Sequence, residues 1–155
     1  ILPLGWSSPT FALGLFSVDD QAQPIDISSR QLEVFQDRQQ SVFSGDVVVV
    51  QAEKTLRADR LTVFFDDQNQ IRRIEAEGSV QIIDPLRTAR GDRGIYDQQE
   101  NALYLFGHAE VSQGENRVAG DEIILYLNEN RSVVKSSDSG RVRALIVPEK
   151  KPETP

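Results

Sequence analysis

Glycine and aspartate recur along this chain at one fixed spacing, each within an alternating apolar run. The matched pairs are Gly45 and Gly107, Asp59 and Asp121, and Gly78 and Gly140, and the two members of every pair differ by 62 in residue number. Each copy is also internally doubled, because Gly45, Gly78 and Gly107 are followed at one common, shorter spacing by Asp59, Asp92 and Asp121, while Arg30 takes the aspartate position of the first quarter. Self-similar units of about 30 residues are typical of stacked architectures, in which each unit buries its apolar face against its neighbours. The repeat therefore predicts an elongated fold.

Composition narrows the class of protein. The 155 residues fit one domain, and the net charge of −7, with 17 Lys and Arg against 24 acids, argues against nucleic acid and against an anionic membrane surface as partners. The absence of cysteine excludes disulfides, thiolate metal sites and cysteine nucleophiles.

The two ends of the chain differ from its middle. Residues 1–22 are expected to be a signal-peptide remnant or a flexible N-terminal segment, because their apolar stretch is interrupted by proline and Thr10-Phe11-Ala12 resembles a cleavage site. An uncleaved anchor or an ordered N-terminal strand is the alternative. Residues 149–155 are rich in proline and charge, and we expect a disordered tail there. The remainder, 23–148, is the predicted domain.

Period-two alternation dominates that domain. From Ile74 to Ile82 apolar residues or glycine alternate with Glu75, Glu77, Ser79 and Gln81, and Leu103 to Val111 repeats the pattern. No segment shows a helical apolar stripe, so the chain is predicted to be all-β. The recurring in-strand glycines predict a bend repeated at each layer. The aspartates are expected at strand starts, in a turn or cap role.

No catalytic or metal-binding residues are predicted. A catalytic carboxylate pair is singular in a fold, whereas these aspartates repeat. His108, the only histidine, lies out of phase with its apolar face and is interpreted as a solvated surface residue. The Asp and Asn residues at 66–69 match no calcium-loop pattern. The sequence predicts a protein that is not an enzyme and has no cofactor.

The apolar face is the remaining candidate site. It is either an ordinary core, as in a solid structural or adhesive repeat protein, or the lining of an apolar channel for an extended acyl chain. Small residues at Gly45, Ala76, Gly78 and Ala109 favour the channel. The candidate lining residues are Leu32, Val34, Val47, Val49, Leu61, Val63, Ile82, Leu105, Val111 and Leu125.

These motifs resemble the OstA-like family of periplasmic lipopolysaccharide-transport proteins over residues 23–148. The segments that carry the resemblance are Gln23-Pro24-Ile25-Asp26-Ile27-Ser28-Ser29, Phe43-Ser44-Gly45-Asp46-Val47-Val48-Val49, Gly120-Asp121-Glu122-Ile123, Ser137-Asp138-Ser139-Gly140-Arg141-Val142 and Ala144-Leu145-Ile146-Val147-Pro148. Arg30 stands where the family usually has aspartate. That departure and the N-terminal stretch leave open a membrane-anchored, LptC-like relative.

The resemblance implies a fold, a ligand and partners. The fold is a twisted, incompletely closed antiparallel β-jellyroll, and the ligand is lipopolysaccharide, whose lipid A acyl chains bind in the interior. Stacking head to tail, with itself and with homologous β-jellyroll domains of inner-membrane and outer-membrane components, would form a bridge across the periplasm. The family's lipid contacts correspond best to Ile25 and Ile27, with Ile82, Val111 and Leu125 as further interior candidates. The first and last strands, near 24–35 and 141–147, are expected to be the unpaired edges.

Overall fold

The fold is a single antiparallel β-sheet. The computed structural model describes residues 23–129, 131–137 and 140–148, and in these ranges the only helical element is a 3₁₀ turn at Gln36–Arg38. The segments predicted at 1–22 and 149–155 lie outside the described residues. The strands are β1 (Asp26–Ser28), β2 (Gln31–Phe35), β3 (Gln40–Gln51), β4 (Lys54–Phe65), β5 (Ile71–Ile83), β6 (Thr88–Asp97), β7 (Ala102–Gln113), β8 (Asn116–Tyr126), β9 (Arg131–Lys135) and β10 (Arg143–Leu145).

The strands follow the order of the chain, and the sheet does not close. The path is β1-β3-β4-β5-β6-β7-β8-β10, with β2 also paired to β3 and β9 also paired to β8. Each end of the sheet therefore consists of two short strands that share one long neighbour: β1 and β2 lie along β3, and β9 and β10 lie along β8. The predicted all-β, incompletely closed β-jellyroll is confirmed, as are the edges predicted near 24–35 and 141–147, while β9 at the C-terminal edge was not predicted.

The long strands β3, β5 and β7 each carry a bulge near the middle. The pairing register shifts between Ser44 and Val47 in β3, between Glu77 and Val80 in β5, and between Phe106 and Ala109 in β7. The bulged residues Gly45, Gly78 and Gly107 have φ of +88°, +87° and +78°, a conformation that glycine adopts without steric cost. We call this line of bulges the seam. It divides the sheet into two halves. The predicted repeat of a bend is confirmed at these three glycines, whereas Gly140 lies outside the strands.

The aspartates belong to the seam and not to strand starts, so the predicted turn role is wrong. Asp59, Asp92 and Asp121 lie in the middle of β4, β6 and β8. A Cβ placed on Gly78 would contact the Asp59 side chain, and one on Gly107 would contact Asp92. Each aspartate thus occupies the space that a side chain on the glycine of the next strand would need. Arg30 fills this place beside Gly45, its Cβ 2.9 Å from a Cβ built there, as the repeat predicts.

Side-chain carboxylates that do serve turns are found between the strands. The Asp66 carboxylate accepts the backbone N–H groups of Gln68 and Gln70, both at 2.9 Å, in the β4–β5 turn. Asp84 accepts those of Leu86 and Arg87 at 2.8 Å in the β5–β6 turn. Such bonds satisfy backbone donors that no ladder partner reaches.

The core lies between the two halves of the sheet. One apolar cluster combines Val49 and Ile82 from one side of the seam with Leu61 and Leu105 from the other, and all four are fully buried. Burying one such side chain stabilises the fold by about 1.5–3 kcal/mol. The halves therefore fold towards one another because their inner faces are apolar.

Candidate functional site

All twelve candidate lipid-binding residues lie on the interior face of the sheet. Directly opposed residues in an antiparallel ladder point to the same face. One row of such pairs runs from Ile27 through Val49 to Leu56, Ile82, Ala89 and Val111, and another runs from Leu32 through Phe43 and Leu61 towards Leu105. The candidates on this face are Ile25, Ile27, Leu32, Val34, Val47, Val49, Leu61, Val63, Ile82, Leu105, Val111 and Leu125.

The middle of the interior is a packed core. Val49, Leu61, Ile82 and Leu105 each expose 0% of their surface, and the void lined by Leu56 and Ile82 measures about 10 Å³. Ala76 and Ala109 are buried in this packing, while Gly45 and Gly78 serve the seam. The small residues that favoured a channel therefore do not line one here.

The C-terminal end of the interior is open. A cavity of about 210 Å³ lies between β7, β8 and β9, and apolar side chains make up most of its wall. It exists because β8 is the last long strand, so the short strands β9 and β10 leave part of the interior uncovered. The apolar lining residues are Val111, Val118, Ile123, Leu125 and Val134. The sequence analysis did not identify Val118 and Val134 as lining residues. The signal that could have identified them is the period-two alternation around each one, Val118-Gly120 and Ser132-Val134.

The N-terminal end exposes the same face. Leu32 and Val34 of β2 are 53% and 58% exposed although they point to the interior side, because no strand lies beyond β2. Ile25 and Ile27 are half-buried and pack against the core cluster. The Gln51 side-chain amide donates a hydrogen bond to the Gln23 carbonyl at 3.2 Å, which ties the start of this segment to β3.

A polar groove follows the seam near the C-terminal end. Its volume is about 770 Å³, and Asp92, His108, Asp121 and Arg141 are among its lining residues. His108 Nδ1 lies 2.9 Å from the Asp92 carboxylate, and this hydrogen bond, with the charge of Asp92, raises the pKa of His108. The backbone N–H of Ser137 donates to the Asp121 carboxylate at 2.6 Å, which lowers the pKa of Asp121.

The side chains of Asp92, His108 and Asp121 are exposed to solvent. The His108 side chain is 90% exposed, as predicted for a surface residue. In the part of the chain that the structure describes, no group of three or more His, Cys, Asp or Glu residues is arranged to hold a metal ion. Over the same residues, no helix has the length and apolar character needed to cross a membrane.

Known proteins are similar to this chain in sequence. The chain is 29% identical over 136 residues to an uncharacterised protein of Rhizobium meliloti strain 1021, covering 82% of this chain and 73% of that one. It is 26% identical over 152 residues to the lipopolysaccharide export system protein LptA of Escherichia coli strain K12, covering 94% and 80%.

A solved structure has the same fold. LptH of Pseudomonas aeruginosa, described as the LptA-homologous periplasmic component of the lipopolysaccharide transport device, superposes with a TM-score of 0.72 at 22% identity, covering 83% of this chain and 99% of that one. The family model described as "LptA/(LptD N-terminal domain) LPS transport protein" matches residues 26–131. The chain therefore belongs to the LptA/LptD N-terminal domain family of lipopolysaccharide transport proteins.

Proposed function

We propose that this chain is a periplasmic, non-enzymatic lipopolysaccharide-transport protein. It shields the acyl chains of lipid A against its apolar interior and stacks end to end, with itself and with homologous β-jellyroll domains of the inner-membrane and outer-membrane components. Family membership supports the ligand class. The observation that carries the proposal is that one apolar face, packed in the middle, stays uncovered at both ends of the sheet.

The open ends are where an acyl chain first meets the protein. The cavity bounded by Val118, Ile123 and Val134 offers an apolar wall, and each methylene buried there is worth about 0.8 kcal/mol. Deeper binding requires the two halves of the sheet to move apart, which an unclosed sheet permits without breaking a ladder. Leu32 and Val34 extend the same apolar surface at the other end.

The edge strands support stacking. Each long strand is antiparallel to the next, so β1 and β2 run opposite to β9 and β10. A second copy placed beyond β8 therefore adds its β1 to β10 and its β2 to β9 as an antiparallel ladder. Continuing the interior rows sets Ile27 opposite Ala144 and Leu32 opposite Val134. The stack then covers the apolar face at each junction.

A solid structural repeat is the second candidate, because the void in the middle of the interior is only about 10 Å³. Site-specific photo-crosslinking separates the two functions. A photoreactive amino acid is placed at Val118, which lines the open cavity, and at Ile27, with the exposed outer-face residue Glu77 as the matched control.

Incubation with purified lipopolysaccharide is expected to yield lipid adducts at Val118 and Ile27 and none at Glu77. Circular dichroism verifies that each labelled chain is folded. Folded protein without an adduct at either interior position would favour the solid-core function. Equal adducts at all three positions would indicate surface adhesion and would also contradict the proposal.

A further inference from the structure

The seam carries a repeated pair of side chains. One member lies over a glycine, which is the bulged residue in the first three pairs and Gly140 in the fourth, and the other directly follows that glycine in the chain. We call these seam pairs, and they are Arg30 with Asp46, Asp59 with Ser79, Asp92 with His108, and Asp121 with Arg141. In the first pair the residue over the glycine is basic and its partner is acidic, whereas in the last two pairs the residue over the glycine is acidic and its partner is basic.

In the first and third pairs the two side chains are in direct contact. Arg30 Nη2 lies 2.6 Å from the Asp46 carboxylate, and His108 Nδ1 lies 2.9 Å from that of Asp92. Successive pairs are also neighbours in the sheet, because His108 and Asp121 both lie in the irregular stretch between the Phe106–Glu122 and Ala109–Gly120 pairs of β7 and β8. A regular continuation of the seam beyond Arg141 would accordingly place a carboxylate beside that arginine.

Away from the seam, the two ends of the sheet carry opposite charge. The charged side chains described in 131–137 and 140–148 are all basic, whereas β1 and β2 contribute Asp26 and Glu33. With Ala144 opposite Ile27 and Val134 opposite Leu32, Arg143 lies diagonal to Asp26 and Lys135 diagonal to Glu33. Diagonal neighbours on one face are within reach of long side chains. These two contacts favour a second copy.

At the seam the charges of two copies do not match, because a second copy places its Arg30 beside Arg141. From this mismatch, which rests on the stacking in the proposed function, we infer that the C-terminal edge prefers a homologous β-jellyroll edge with a carboxylate at the Arg30 position over a second copy of this chain. The partner is thus a related domain whose first seam residue is Asp or Glu. Arg30 acts as a specificity residue that limits self-stacking by like-charge repulsion.

Self-association of charge-swapped chains tests this inference. The double variant Arg30→Asp with Asp46→Ser recreates the Asp59–Ser79 pair at the N-terminal edge and avoids two adjacent carboxylates. The single variant Arg141→Asp reverses the charge on the other side of the junction at an exposed position, where the new carboxylate joins Asp121 in its own pair but faces Arg30 of the second copy. Arg38→Asp, an exposed charge change off the seam, is the matched control.

Sedimentation equilibrium at low ionic strength is expected to show at least threefold tighter self-association for the double variant and for Arg141→Asp, and less than twofold change for Arg38→Asp. The gain should shrink in high salt, since exposed charges are screened. Combining Arg30→Asp, Asp46→Ser and Arg141→Asp places two carboxylates next to each other at the junction, so the tighter self-association should be lost.

The outcomes separate this inference from the proposed function. Self-association that is unchanged or weaker in both seam variants overturns the role of Arg30 and leaves stacking intact. If no chain associates at any concentration, stacking and this inference both fail, while lipid capture at Val118 would still support lipid transport. An equal gain in Arg38→Asp would show a net-charge effect and would likewise overturn the inference.

Discussion

Gly78→Ala tests the physical role of the seam. Gly78 has φ of +87°, and a Cβ built on it lies 2.7 Å from Asp59 Cβ and 2.6 Å from Asp59 Cγ. The whole aspartate side chain must move, because its base and not only its flexible end is in the way. The left-handed backbone costs an L-residue about 1–2 kcal/mol, and overpacking adds about 1–3 kcal/mol. The expected loss in free energy of unfolding is therefore about 2–5 kcal/mol.

Two other glycines separate these terms. Gly114 has φ of +60° and no heavy atom within 4 Å of a built Cβ, so Gly114→Ala should lose only the backbone term, about 1–2 kcal/mol. Gly94 lacks the left-handed φ, and its nearest neighbours lie at 3.5 Å. Gly94→Ala should be neutral or stabilise by up to about 1 kcal/mol, because alanine loses less backbone entropy on folding.

Urea unfolding followed by circular dichroism measures all three variants. Asp59→Gly in the Gly78→Ala background removes the clash and should recover the overpacking part, with a coupling energy of about 1–3 kcal/mol. A Gly78→Ala variant no less stable than Gly114→Ala would refute the reasoning, and so would a coupling energy of zero.

Three further predictions concern the core and two titrating groups. Leu61→Ala should cost about 2.7–5 kcal/mol in urea unfolding because Leu61 is 0% exposed, whereas Leu32→Ala, at 53% exposure on the same row, should cost under about 1 kcal/mol; equal losses would contradict the edge assignment. NMR titration should give His108 a pKa above 6.5, and this pKa should fall in Asp92→Asn. Since the pKa is raised in the folded state, the stability that the His108–Asp92 pair contributes is complete below pH 6.5 and is lost as the pH rises through the folded pKa. An unchanged His108 pKa in Asp92→Asn would count against the pair. The Tyr104 hydroxyl donates a hydrogen bond to Glu100 at 2.7 Å, which raises the pKa of Tyr104 to about 12. In Glu100→Gln the pKa of Tyr104, measured by ultraviolet titration, should therefore fall back towards 10.0. An unchanged pKa would show that Glu100 is not the cause.

Strand content and facing were predictable because both are local. Alternation along Ile74–Ile82 placed Ile74, Ala76, Val80 and Ile82 on one side, and all four are buried in the core. The glycines predicted bends because only glycine adopts their backbone conformation cheaply, and the bulges lie where expected.

The aspartates were misplaced because their partners lie on other strands. In the sequence repeat each aspartate follows a glycine at a constant spacing, but in the fold Asp92 packs over Gly107 and Asp59 over Gly78, glycines that come later in the chain and on the next strand. These contacts form only when neighbouring strands are in register. Turn preference, a local property, therefore gave the wrong role.

By itself, the sequence determined the β class, the interior face and the bends, because side-chain alternation and glycine conformation belong to the local backbone. Only the tertiary structure decided which part of that face is core and which part is open. Val63 and Val34 occupy the same interior row, yet Val63 is 2% exposed and Val34 is 58% exposed. The physical reason is that burial depends on the strands beyond a residue, and the sheet ends at β2 while it continues on both sides of β4.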